Sequence, residues 1–334
     1  MTKTERVRNA LEGKKVDHIP FSFWTHMAGY DLDPELLARK TAEFAKEYDI
    51  DFIKTMNNGM YSVEDYGCKL DQSQVKKGGI TKLASSPIGC AEDWKKIGML
   101  DIHSGALNRE LTSLQWLLEE TKGQIPVIFT VMSPMTTAEK LSGGEVIHHL
   151  QEGRADLVIP ALKAITDTTC LLAQEAIRLG AAGIFFASQI EYYGGKDDSF
   201  CEVYEKPFDL QVLGAAEKGW FNVIHAHGSD IMFHILNDYP VHAFNWHVGE
   251  SLPQIEEARD TLDCALMGGL NRGDIKDGRK TQIHNQLYHI IKATKGRKLL
   301  ITPGCVVRLP LNQDALHYVR DTIGTLEQKL DVTN

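Results

Sequence analysis

The chain has 334 residues, of which 43% are hydrophobic and 24% charged, and it carries a formal charge of −9. That length and balance support a large buried core and exclude a disordered chain. The acidic surplus, with no basic stripe, argues against nucleic acid as a partner, and no apolar run approaches the roughly 20 residues a membrane helix needs.

The first predicted element is a helix. Thr2 stands three residues ahead of Glu5, the spacing of a capping box, and Gly13 closes the segment. It has no apolar core of a secretory signal, and the six cysteines are dispersed with no CxxC, as reduced thiols are. A cytoplasmic location is expected. Eight short apolar, β-rich runs follow, at 18–24, 51–56, 126–132, 183–188, 221–227, 242–248, 264–270 and 298–304. Between them lie stretches such as PELLARKTAEFAKEY and DGRKTQIHNQLYHIIKATKG, whose apolar residues recur with the helical period.

Strands alternating with helices build βαβ units, and runs apolar throughout are strands covered on both faces. Eight such units predict an α/β fold, a (β/α)8 TIM barrel with an N-terminal helix and an insertion at 57–125 between the second and third strands. Within the insertion VKKGGITKLASS suggests a hairpin, followed by a helix. A doubly wound open sheet is the rival architecture, but no GxGxxG follows the first strand and no GxxxxGK[ST] occurs. With no repeat or linker, residues 1–334 read as a single domain.

Chemistry in such barrels sits at the C-terminal ends of the strands. The eight ends supply His26, Asn57, Asn58, Ser133, Gln189, Glu191, His225, His227, Asn245, His247, Asn271, Arg272 and Cys305. The sharpest feature is HAHG. Residues i and i+2 of a strand share a face, so His225 and His227 present two imidazoles toward one point. Cys305, in TPGC after the eighth run, reaches the same mouth. Two imidazoles and a thiolate make a Zn2+ triad with its fourth position open, as catalytic zinc sites have. The plain alternative is two hydrogen-bonded histidines beside a cleft and a cysteine packed as a small hydrophobe. His247 and Glu191 are candidates for moving a proton, and His26, Asn57, Gln189 and Asn271 for orienting a substrate. Glu191 with Tyr192 and Tyr193 also fits a surface turn, and His148 and His149 read as solvated surface.

Five segments, RVRNALEGKKVDHIPFSFWTHMAGY, VMSPMTTAEKLSGG, SFCEVYEKPFDLQVL, LMGGLNRGD and ITPGCVVRLPLNQDAL, resemble in order and spacing the uroporphyrinogen decarboxylase superfamily over nearly the whole chain. The resemblance implies a barrel with its site at the strand ends. Decarboxylases of that family hold a many-carboxylate tetrapyrrole through arginines of an R-Q-A-G-R motif after the first strand. Here His26, Met27, Ala28, Gly29 and Tyr30 stand there, and Asn57 and Asn58 lie where the family's catalytic aspartate aligns. The charge-assisted contacts such a substrate needs are missing.

The other branch of the superfamily contains cobamide-dependent methyltransferases, which pass a methyl group from a methylated corrinoid protein to a thiol or to tetrahydrofolate. Their zinc motif is H-x-C-G after the fifth strand, with a second cysteine in T-x-G-C after the eighth. His225, Gly228 and Cys305 match, and His227 stands where a cysteine is usual. One thiolate and two imidazoles leave a zinc centre with a formal positive charge, which holds a thiolate firmly but makes it a poorer nucleophile. The resemblance implies a zinc-dependent methyltransferase with a separate corrinoid protein as methyl donor and a small-molecule acceptor. The alternatives are a decarboxylase of the uroporphyrinogen type and a non-catalytic ligand-binding barrel.

Overall fold

The computed structural model describes residues 1–75, 79–190 and 194–332. The N-terminal helix spans Lys3–Leu11, with the capping box closed in both directions between Thr2 and Glu5, and it turns Val7, Ala10 and Leu11 inward. Nine strands occur among the described residues: β1 (Ile53–Lys54), β2 (Lys69–Asp71), β3 (Lys82–Ser85), β4 (Val127–Met132), β5 (Gly183–Ser188), β6 (Val223–Ala226), β7 (Ala243–Trp246), β8 (Ala265–Leu270) and β9 (Leu299–Pro303). Seven of them form one parallel sheet in the order β1-β4-β5-β6-β7-β8-β9. Each neighbour in space is also the next sheet strand in the chain, with helices such as Gly105–Thr121, Ala155–Leu179 and Lys280–Thr294 in the connections. Every residue of β4 to β9 is buried, which is why these runs read as continuously apolar instead of alternating.

The expectation of eight strands is corrected to seven. The first run, 18–24, is not a strand. Phe21 makes one parallel bridge to Ile301 of β9, Ser22 N–H donates to the Ile301 carbonyl at 3.0 Å, and Asp51 N–H donates to the Phe21 carbonyl at 2.9 Å. The segment therefore touches β9 on one side and the approach to β1 on the other. Pro20 brings no N–H to a ladder, and side chains take its neighbours' bonds. Phe21 N–H donates to the Asp51 carboxylate, and the Ser22 hydroxyl to the Phe52 carbonyl.

The insertion holds a short helix (Tyr61–Glu64), the antiparallel pair β2–β3 and a 3-10 turn (Ala91–Lys96) ahead of the Gly105–Thr121 helix. The hairpin expected in VKKGGITKLASS is thus placed differently. Its second arm is β3, its first arm is the KLD of β2 upstream, and Lys76, Lys77 and Gly78 lie outside the described residues. His149 is buried and accepts a hydrogen bond from Trp94 Nε1 at 3.1 Å, whereas His148 is exposed, as expected. No helix among the described residues is long and apolar enough to cross a membrane.

Candidate metal centre

Parallel register sets the centre. His225 on β6 lies opposite Asn245 on β7, and Ala226 opposite Trp246, so the next pair, His227 and His247, emerge side by side past the strand ends. Their rings stand 4.5 Å apart edge to face, and the His225 ring is 5.6 Å from His227 and 5.7 Å from His247. Cys305 arrives from β9 through Gly304. A Cβ on that glycine would lie 2.7 Å from the Trp246 carbonyl oxygen and 2.9 Å from the His247 Cα, so only glycine lets the exit of β9 pack onto the exit of β7.

One ligand atom from each of His225, His227, His247 and Cys305 lies within 4.8 Å of all the others. Zinc bond lengths place tetrahedral ligand nitrogens about 3.4 Å apart, and nitrogen and sulfur about 3.6 Å apart. Two of the observed separations already match. His247 Nε2 is 3.2 Å from His227 Nδ1, and Cys305 Sγ is 3.7 Å from the same nitrogen. The donor set therefore fits a zinc-sized ion, with His247 as a fourth donor beyond the expected triad.

Neighbouring groups aim these donors. Asn245 Nδ2 donates to the Met267 carbonyl at 2.7 Å, which fixes the amide so that its Oδ1 faces His225 Nδ1 at 2.5 Å. His225 must then carry its proton on Nδ1, leaving the Nε2 lone pair for a metal. Glu250 lies 3.6 Å from His247 Nδ1 and is itself held by Arg272 at 3.2 Å, which favours the same division of roles in His247.

Burial, reinforced by His227 and His247, keeps His225 well below the usual imidazole range. Burial, then the neighbouring His247, pushes His227 down to about 4. Burial and Arg272 push His247 down to about 4. All three are neutral donors at neutral pH. Burial raises the Cys305 thiol above its ordinary value against the pull of Arg272, so without a metal it keeps its proton.

The cluster opens into a cavity of about 750 Å3 lined by His225, His227 and Cys305 and also by His26, Asn57 and Gln189, so three of the four expected substrate contacts share one space with the triad. Asn57 Nδ2 donates to Glu110 at 2.7 Å. Burial, then Lys54 and Arg308, lowers His26 to about 4. Asn271 is placed otherwise. Its Oδ1 accepts from Gly273 and Asp274 N–H as the cap of the Arg272–Asp277 helix, and the next residue, Arg272, lines the cavity in its place. Glu191 lies outside the described residues.

Three contributors went unnoticed in the sequence: Asn245 in its supporting role, and Lys54 and Lys140 in the cavity wall. Burial pushes each lysine down to about 8. The signal for Lys54 was available, a lone charge inside the apolar run DFIKTM.

Solved structures with this architecture include a methyltransferase from Methanosarcina mazei, with a TM-score of 0.84 and 17% identity over 97% of this chain and 99% of that one. A B12-independent methionine synthase from Shewanella sp. W3-18-1, in complex with selenomethionine, aligns with a TM-score of 0.59 and 10% identity over 94% of this chain and 99% of that one. At such identities the likeness is one of fold. No curated protein matches in sequence. The family model for uroporphyrinogen decarboxylase (URO-D) matches residues 2–326, and with nearly the whole chain covered, the protein belongs to the uroporphyrinogen decarboxylase family.

Proposed function

We propose that the protein is a zinc-dependent methyltransferase, with residues 1–334 working as one barrel domain that moves a methyl group from a methylated corrinoid protein, a separate chain, to a thiol or tetrahydrofolate-type acceptor. The observation that carries this reading is the convergence of four donor atoms within 4.8 Å, three of whose residues, His225, His227 and Cys305, line the cavity. The fold it shares with the Methanosarcina methyltransferase supports the same reading.

His225, His227 and Cys305 would hold the ion, with His247 as a further donor in place of the proton-moving role its position first suggested. Bound zinc would supply a Lewis-acidic seat for the acceptor's donor atom, which would displace His247 or add as a fifth ligand. Asn245 holds the His225 ring in the tautomer that offers Nε2. His26, Asn57 and Gln189 line the same cavity and would contact the acceptor, and the apolar Trp24, Met56 and Phe185 would keep bulk water from the reacting groups. Decarboxylation of a porphyrin is the weaker reading, because the segment His26–Tyr30 brings no arginine to the cavity.

The test is metal analysis of purified protein followed by turnover with methylcobalamin as donor and a panel of thiols and tetrahydrofolate as acceptors. One zinc per chain, lost together with methyl transfer in Cys305→Ala, is the expected result. Full methyl transfer by metal-free protein would remove the proposal.

A further inference from the structure

Six cationic side chains, Lys54, Lys82, Lys140, Arg272, Lys276 and Arg308, line the cavity against one carboxylate, Asp31, among the described residues. Asp31 accepts from the Asn58 amide at 2.9 Å, and Arg272 is paired with Glu250 at 3.2 Å. Lys82, Lys276 and Arg308 are exposed at the rim. Lys54 differs from all of these. It points from β1 with only 8% of its surface exposed, and its Nζ stands 5.2 Å from the centroid of the Phe185 ring. The group that favours its charge is the Cys305 sulfur, and among the described residues no carboxylate does so. Lys140 reaches the same cavity with its Nζ on the Gly59 carbonyl at 3.0 Å.

An ammonium taken out of water without a counter-ion destabilises a fold, and a methionine would pack that place better. This charge lines the same cavity as His225, His227 and Cys305, where a ligand can supply the missing anion. We propose that Lys54, backed by Lys140, is the seat for one anionic group of the methyl acceptor, a carboxylate, sulfonate or phosphate. The proposal rests on the reading of this cavity as the acceptor site. Phe185 also stacks on His225 with centroids 5.2 Å apart, so the ammonium, at cation–π range of the same aromatic, lies at most roughly 10 Å from the His225 ring. That span suits an acceptor with a few bonds between its anionic group and its donor atom. It does not suit a tetrapyrrole with charges around its whole rim. Anion recognition has moved from the segment after the first run, where arginines are absent, to β1 and the Pro134–Leu141 helix.

The test compares 3-mercaptopropionate with 3-mercaptopropan-1-ol on zinc-loaded protein by calorimetry, and propionate with propan-1-ol on metal-free protein by thermal shift. In the wild type the acids bind at least about 10-fold tighter in both settings, as a charge-assisted contact requires. Lys54→Met brings each pair within about 2-fold, Lys54→Arg keeps most of the preference, and zinc stoichiometry is unchanged in both. Lys54→Met also raises Tm, because a desolvated charge is removed. Equal binding of acid and alcohol by the wild type, or a preference that survives Lys54→Met, overturns the seat. A chain that takes up no zinc yet prefers propionate through Lys54 upholds the seat and removes the metal reading instead.

Discussion

Zinc affinity should follow pH with a slope that counts the protons the site releases. Burial pushes His227 and His247 down to about 4 and keeps His225 well below the usual imidazole range, so between pH 6 and 8 all three are already bare. The Cys305 thiol is raised above its ordinary value and is still protonated. Binding then displaces one proton, and the association constant rises about tenfold per pH unit, about 1.4 kcal/mol. From pH 6 to 8 that is roughly 100-fold. Competition against a chromophoric chelator reads the slope, and calorimetry in buffers of different ionisation enthalpy counts the proton directly. With His247 in the shell the four protein donors leave no place for water. A slope climbing toward two above neutrality, as a bound water with a pKa of about 7 would give, places His247 outside the shell. A flat profile in the wild type refutes Cys305 as a ligand and the reasoning with it. In Cys305→Ser the slope disappears and affinity falls.

Other outcomes follow from the same contacts. Asn245→Leu frees the His225 ring to adopt either tautomer and should weaken zinc binding by about 10- to 100-fold, with an altered cobalt(II) absorption spectrum in the substituted protein. Gly304→Ala drives a methyl into the Trp246 carbonyl and the His247 backbone. It should cost about 1–3 kcal/mol in urea denaturation and separate Cys305 from His227, seen as lost zinc affinity. The metal-free protein should lose stability as pH falls from about 6.5 toward 4. The unfolded histidines bind protons in that window while the buried ones, with lowered pKa values, do not. The loss is at most about 1.4 kcal/mol per histidine per pH unit, and an unchanged urea midpoint between pH 7 and 5 would contradict the burial of these rings.

The parallel sheet was legible because burial on both faces writes itself as unbroken apolar runs, and β4 through β9 all fall inside the predicted segments. The first run has the same composition, but its backbone pairing stops at a single bridge to β9 and one bond from Asp51, and the side chains of Ser22 and Asp51 take further bonds there, which apolar periodicity does not register. The His225–His227 pair was legible because alternation along one strand is a local rule. His247 joined them through the β6–β7 register, a non-local fact that no window of sequence contains. Asn271 illustrates the opposite failure. Its position at a strand end suggested substrate, while Asp274 three residues on marked a helix cap, and the cap is what the side chain forms.

Charge connects the centre to the cavity wall. Three neutral imidazoles and one thiolate around a divalent ion leave one net positive charge, and Lys54, beside the Phe185 ring that also stacks on His225, adds a second within roughly 10 Å. Glu250 lies 3.6 Å from His247 Nδ1 and is shared with Arg272 at 3.2 Å, so it offsets only part of the positive charge at the centre. An anion seated at Lys54 lowers the cost of holding the ion, and the ion raises affinity for the anion by the same factor, since coupling between two sites is reciprocal. Propionate should therefore tighten zinc binding in the wild type and leave it unchanged in Lys54→Met. A zinc affinity indifferent to propionate in the wild type would mean that the two charges are screened from each other, and that the wall and the donor cluster work as separate sites.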